Sequence, residues 1–187
     1  MDRSSKIISW LILPILLVSI DAVSNLQAQD PARDKLVVET LIRLKRFDVS
    51  GSEKLMGAVT RHMETVKGTD KYNEYAEAFA ISTALPELVR LGIEKSDENI
   101  GVNAIRIALK LGGRDRISEH LVGDDTSKTM PIIFALGQIG NEESFDLLKS
   151  SYSSRPANQQ VLIALVNAIA KNITGQHFLL EQLMADK

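Results

Sequence analysis

The stretch Ala135-Leu136-Gly137-Gln138-Ile139-Gly140-Asn141, followed by Leu147-Leu148, decides the fold class. Its first half closes an apolar run at helical spacing over 129–139, which Gly140 stops. A partner helix follows over 141–151, with Phe145, Leu147 and Leu148 as its apolar residues. Working outward, the same arrangement of helix, short break and helix recurs. Upstream, the spacing predicts helices near 34–46, from Ser52 to before Gly68, over 71–82, and from about Thr83 with Pro86 in the first turn. Proline is tolerated there because that N–H has no helical partner. A helix capped by Asp97 and closed by Gly112-Gly113, and a short one near 115–122, complete the upstream set; 159–171 and 175–184 make the last pair.

No stretch alternates strictly enough to be a strand, so the domain reads all-α. Small-large steps at Ala78-Phe79, Ala108-Leu109, Ala135-Leu136 and Ala168-Ile169 lie 30, 27 and 33 residues apart. A helical hairpin repeated at that spacing is the mark of an α-solenoid, here of about five stacked pairs. A small residue at each marker lets stacked helices approach closely. A non-repetitive helical bundle with similar hairpins is the alternative.

Composition agrees. Of 187 residues 44% are hydrophobic but only 5% aromatic, a balance that suits helices built on Leu, Ile, Val and Ala. The absence of cysteine excludes disulfides, Cys-based zinc sites, a thiol nucleophile and covalent haem attachment in this chain. A net charge of −2 is far from the basic excess that nucleic acid requires.

Residues 1–28 read as a secretory signal peptide. Arg3 and Lys6 precede an apolar run over 7–20, and the small residues Ala22, Ser24 and Ala28 follow. Cleavage after Ser24 or after Ala28 fits equally. The run is short of the roughly 20 residues of a membrane-spanning helix and contains Pro14, so an uncleaved anchor is the lesser reading. The expected organisation is a signal over 1–28 and a helical domain over 29–187. The product is periplasmic or otherwise exported, with no stable membrane insertion once the signal is removed.

The residues 34–41 and 47–50, Val66-Lys67-Gly68-Thr69, Gly101-Val102, Leu111-Gly112-Gly113, Gly123-Asp124-Asp125, Ala135-Leu136-Gly137 and Arg155-Pro156 together resemble a HEAT-like region of large exported planctomycete-type proteins. The likeness covers about residues 30–187 and is spread over many positions. In that family the region lies near a haem-binding, c-type cytochrome domain. Family members continue into more helix and a Cys-x-x-Cys-His; this chain carries no such motif, so the haem function transfers to none of its residues. The resemblance implies the HEAT-like fold, export and a partner that is an extracytoplasmic redox protein or cytochrome.

No catalytic, cofactor-binding or metal-binding residue emerges. His62, His120 and His177 fall on three different helices without metal-ligand spacing. His120 has Glu119, Asp124 and Asp125 nearby, which reads as a solvated acidic turn. Gly112-Gly113 lacks the strand-loop-helix setting of a phosphate loop, no Gly-x-Ser-x-Gly surrounds the serines at 150–154, and the glutamates are scattered. Asn172-Ile173-Thr174 matches a glycosylation sequon but reads as a turn. Arg43, Lys45 and Arg46 favour the C-terminal dipole of their helix, and the pairs Lys35/Glu39 and Arg90/Glu94 mark outer faces.

The reading is therefore an exported, non-enzymatic HEAT-like scaffold for protein–protein interaction, with its stacked second helices as the docking surface and no cofactor. The alternative is the helical portion of a split or truncated c-type cytochrome oxidoreductase acting in electron transfer; a third reading holds a tetrapyrrole between helices. An apolar flank is expected near Met184, with a tendency to self-associate.

Overall fold

The computed structural model describes residues 30–122 and 125–185, so the signal-peptide expectation lies outside the described residues. All regular structure in the described part is helical, with no strand. The ten α-helices are α1 (Pro31–Arg43), α2 (Glu53–Thr65), α3 (Asp70–Ala78), α4 (Leu85–Glu94), α5 (Asn99–Lys110), α6 (Arg114–Val122), α7 (Thr126–Ile139), α8 (Glu142–Ser153), α9 (Gln159–Ile169) and α10 (Ile173–Ala185). No described helix is long and apolar enough to cross a membrane. The described residues form two compact units, divided in the chain between His62 and Met63.

In the first unit, α1 starts at Pro31, earlier than the expected 34, because Asp30 caps it through a bond from the Ala32 N–H. Asp34, Val38 and Leu41 then form the buried stripe. Leu36, Leu44 and Phe47, which with Val37 and Leu41 are the apolar residues whose spacing predicts this helix, are 64%, 59% and 39% exposed. The phase is set by Asp34, whose carboxylate accepts two bonds from Arg61 of α2 at 2.7 and 2.9 Å. Leu36 is thereby rotated outward, and Leu44 and Phe47 follow the last helical residue.

In the second unit, α3 ends at Ala78 instead of running to Ser82. Ala80 takes a left-handed φ of 52° while the Ile81 N–H bonds back to the Ala76 carbonyl. That closure recurs. Arg46 bonds to Leu41 after α1, Ile81 to Ala76 after α3 and Gly113 to Ala108 after α5; in each, the preceding residue (Lys45, Ala80, Gly112) has positive φ. These are Schellman-type ends, which satisfy carbonyls that a helix terminus leaves free. Glu98, not Asp97, occupies the N-cap of α5. α7 starts at Thr126 under an Asp125 cap, placing Pro131 inside the helix, where 129 had been the expected start. The bond forfeited is to the carbonyl of Ser127, an exposed residue in the first turn.

Packing alternates within this unit. α3 packs on α5, α5 on α7 and α7 on α9, while α4 lies on α5, α6 on α7 and α8 on α9. The core includes the seam where α5 and α7 meet: Ala104, Ile105, Ile107, Ala108, Ile132, Ala135 and Leu136 are fully buried. Small residues set the approach of α7 to α9 and of α5 and α10 to the chain that precedes them. A Cβ on Gly137 of α7 would come within 2.8 Å of the Ala168 Cβ on α9, and one on Gly101 or Gly175 would overlap the carbonyl oxygen of Lys95 or Ile169.

Candidate interaction surface

The row α3, α5, α7 and α9 buries one flank of each helix and leaves another open. On α3 and α5 the open flank is polar. Arg106 donates to both carboxylate oxygens of Glu77, at 3.0 and 2.8 Å, and to Asn103 at 3.0 Å; Lys110 adds a third bond to Glu77 at 3.0 Å. The hydrogen bonds from Arg106 hold the Glu77 carboxyl at about 2 against its ordinary 4.5, with Lys110 acting in the same direction and partial burial opposing them. On α7 and α9 the open flank turns apolar: Phe134 is 43% and Ile163 52% exposed. The Lys171 ammonium lies 5.0 Å from the centroid of the Phe134 ring, a cation–π distance.

Several bonds in the two units span a similar sequence separation. Asn73 donates from its carboxamide to the Ile100 carbonyl at 2.9 Å, 27 residues away. Arg106 reaches Glu77 across 29, and Ser151 reaches the Leu121 carbonyl across 30. Within the first unit Arg61 reaches Asp34 across 27. Asn73 is fully buried and its Oδ1 has no partner, so its retention rests on the Nδ2 bond that fixes α3 against the start of α5.

The histidines lie on three helices. His62 on α2 is buried, and that burial holds its imidazole below the ordinary value. His120 on α6 is half-buried, and its carbonyl accepts from the Thr129 hydroxyl at 2.8 Å. His177 on α10 is exposed. Asp125 serves as the α7 cap, accepting from the Ser127 N–H at 3.1 Å, and pairs with Lys128 at 3.0 Å. Among the described residues no group of three or more His, Asp or Glu side chains is placed to hold a metal ion. The sequon asparagine, Asn172, accepts from the Gly175 N–H at 2.8 Å and so caps α10, a sharper role than a turn. A cleft of about 370 Å³ beside Tyr152, Arg155, Pro156, Leu162 and Gln182 combines one cation with a mixed lining.

Sequence reasoning passed over Asp34–Arg61, Glu77–Arg106–Lys110 and Asn73–Ile100. The signal was there to find. Opposite charges 27 and 29 residues apart coincide with the spacing of the small-residue markers. Comparison of the chain with family models, with curated proteins and with solved structures gives no match.

Proposed function

We propose that the helices form a HEAT-like α-solenoid and that the chain is an exported, non-enzymatic scaffold docking another protein on the open flank of α3, α5, α7 and α9. The observation that carries this reading is the alternate packing, in which each odd-numbered helix of the second unit lies on the next. Bonds at 27 to 30 residues support it, because a repeated unit returns equivalent residues to neighbouring positions once per period.

The same packing supports a docking surface on the first helices instead of the second. The odd-numbered row is in close contact throughout, whereas in the even-numbered row α6 and α8 touch only slightly. A stack tighter on one side curves toward that side. Its hollow is then lined by the Glu77 network at one end and by Phe134 and Ile163 at the other. Such a surface needs no enclosed pocket and works by extended contact. Export rests on residues 1–28, and a redox protein or cytochrome as partner rests on the family resemblance.

The test is cross-linking of the full chain in the exported fraction with a lysine-reactive reagent. Cross-links to a partner are expected at Lys110 and Lys171; a preference for Lys149 on α8 reverses the assignment of the face. Phe134→Asp should abolish capture of that partner without lowering the melting temperature. A haem stain of the captured protein then decides whether it is a cytochrome.

A further inference from the structure

Helix α10 departs from the pattern of the other helices. Ile173, Leu180, Leu183 and Met184 are 66%, 57%, 67% and 76% exposed, and Gly175 is its one buried residue. Its phase is fixed from the inside. Gly175 lies against the Ile169 carbonyl, and the Phe178 ring meets Phe145 and Tyr152 edge-on, with centroids 6.2 and 5.8 Å apart. Ile173, His177, Leu180 and Met184 fall three or four residues apart and make one continuous outward stripe. The helix carries two ionisable residues, His177 and Glu181, both exposed.

We infer that this stripe is the contact between two copies of the chain, α10 packed antiparallel on α10 about a two-fold axis near residue 179. Two observations select a second copy. The first is area. Four large side chains, each with more than half of its surface open, offer roughly 100 Å² apiece. Two copies, with Leu183 at the edge of the contact, withdraw on the order of 800 Å² from water, the scale of a weak, reversible association. The second is charge. A two-fold contact places residue i against j and j against i. An axis near 179 therefore sets His177 of each copy opposite Glu181 of the other, so the ionisable groups on the helix meet with compatible sign and nothing on the stripe repels itself. The contact is independent of the flank of α3, α5, α7 and α9.

The experiment is light scattering of the full chain over about 1 to 100 µM. A mass twice the 20.6 kDa of the chain is expected at the upper end. The double variant Leu180→Glu with Leu183→Glu alters exposed positions only; it should keep the parent's circular dichroism and weaken association at least tenfold. Phe134→Asp should leave the mass unchanged. Because the chain has no cysteine, single cysteines report the geometry cleanly. His177→Cys mixed with Glu181→Cys should oxidise to a covalent dimer, whereas Gln138→Cys on α7 should not. A parent that is monomeric at 100 µM, a dimer indifferent to the double variant, or cross-linking no better at 177 and 181 than at 138 would each overturn the inference. So would capture of a different protein, lost in the double variant, at concentrations where the parent dimer is absent.

Discussion

Helices α7 and α10 are both rich in apolar residues, yet their fates are opposite. In α7, Ile132, Ile133, Ala135, Leu136 and Gly137 are buried, because α5 and α9 close its two sides and α4, α6 and α8 lie beneath. In α10, which packs on α9, four large apolar side chains face outward. Burial here is a property of neighbours before it is a property of composition. A helix becomes core when other helices lie along each of its flanks.

That contrast is open to direct attack. Leu136→Asp buries an uncompensated carboxylate at a site with no exposure and should cost several kcal/mol of a total near 5–15, enough to abolish the cooperative melt. Leu180→Asp on α10 should change stability by less than about 0.5 kcal/mol. Comparable losses from the two would show that α10 is as deeply held as α7. Next in size is a matched pair of backbone clashes. Gly101→Ala and Gly175→Ala each drive a methyl group into a carbonyl, of Lys95 and Ile169 respectively, at a cost of about 3 kcal/mol. Amide exchange should show the Gly101 variant loosening α3, α5 and α7 together, and the Gly175 variant releasing α10 while α5 stays protected.

A smaller effect comes with acid. Folding holds the Glu77 carboxyl at about 2, below its ordinary 4.5. Its contribution is therefore complete above about pH 4.5 and disappears as the pH falls through about 2. With Arg106 and Lys110 partly exposed, the loss should be about 1 to 2 kcal/mol. Urea midpoints measured from pH 5 to 2 should fall more steeply for the parent than for Glu77→Gln; parallel curves would remove the network from the account of stability. Smallest is a gain. Ala80 holds a left-handed φ of 52°, so Ala80→Gly should raise stability by up to about 1 kcal/mol, read as a higher urea midpoint.

The helices were legible because buried side chains recur with the helical period and glycines end the runs. Gly140, left-handed at φ 62°, stands where the sequence put the end of α7. Ser52 does face the start of α2, its hydroxyl 3.4 Å from the Leu55 N–H. Phase was less legible. Leu36 satisfied an apolar count yet lost to Asp34, a buried carboxylate that only its distant Arg61 makes affordable. The starts of α1 and α7 moved outward because Asp30 and Asp125 are caps, and a cap outweighs the preference that had deferred each start to a later residue. The surface was hidden altogether. Which flank of α5 faces outward depends on the positions of α3 and α7, and no local pattern states it.

The bonds that join positions 27 to 30 residues apart also set a mechanical scale. Each such link bounds the length of chain that its rupture can release. At the reach of an extended backbone, about 3.4 Å per residue, that length is roughly 100 Å. Drawn out by its two ends, this polypeptide should lengthen in modest increments of about that size, so that strain is absorbed piecemeal.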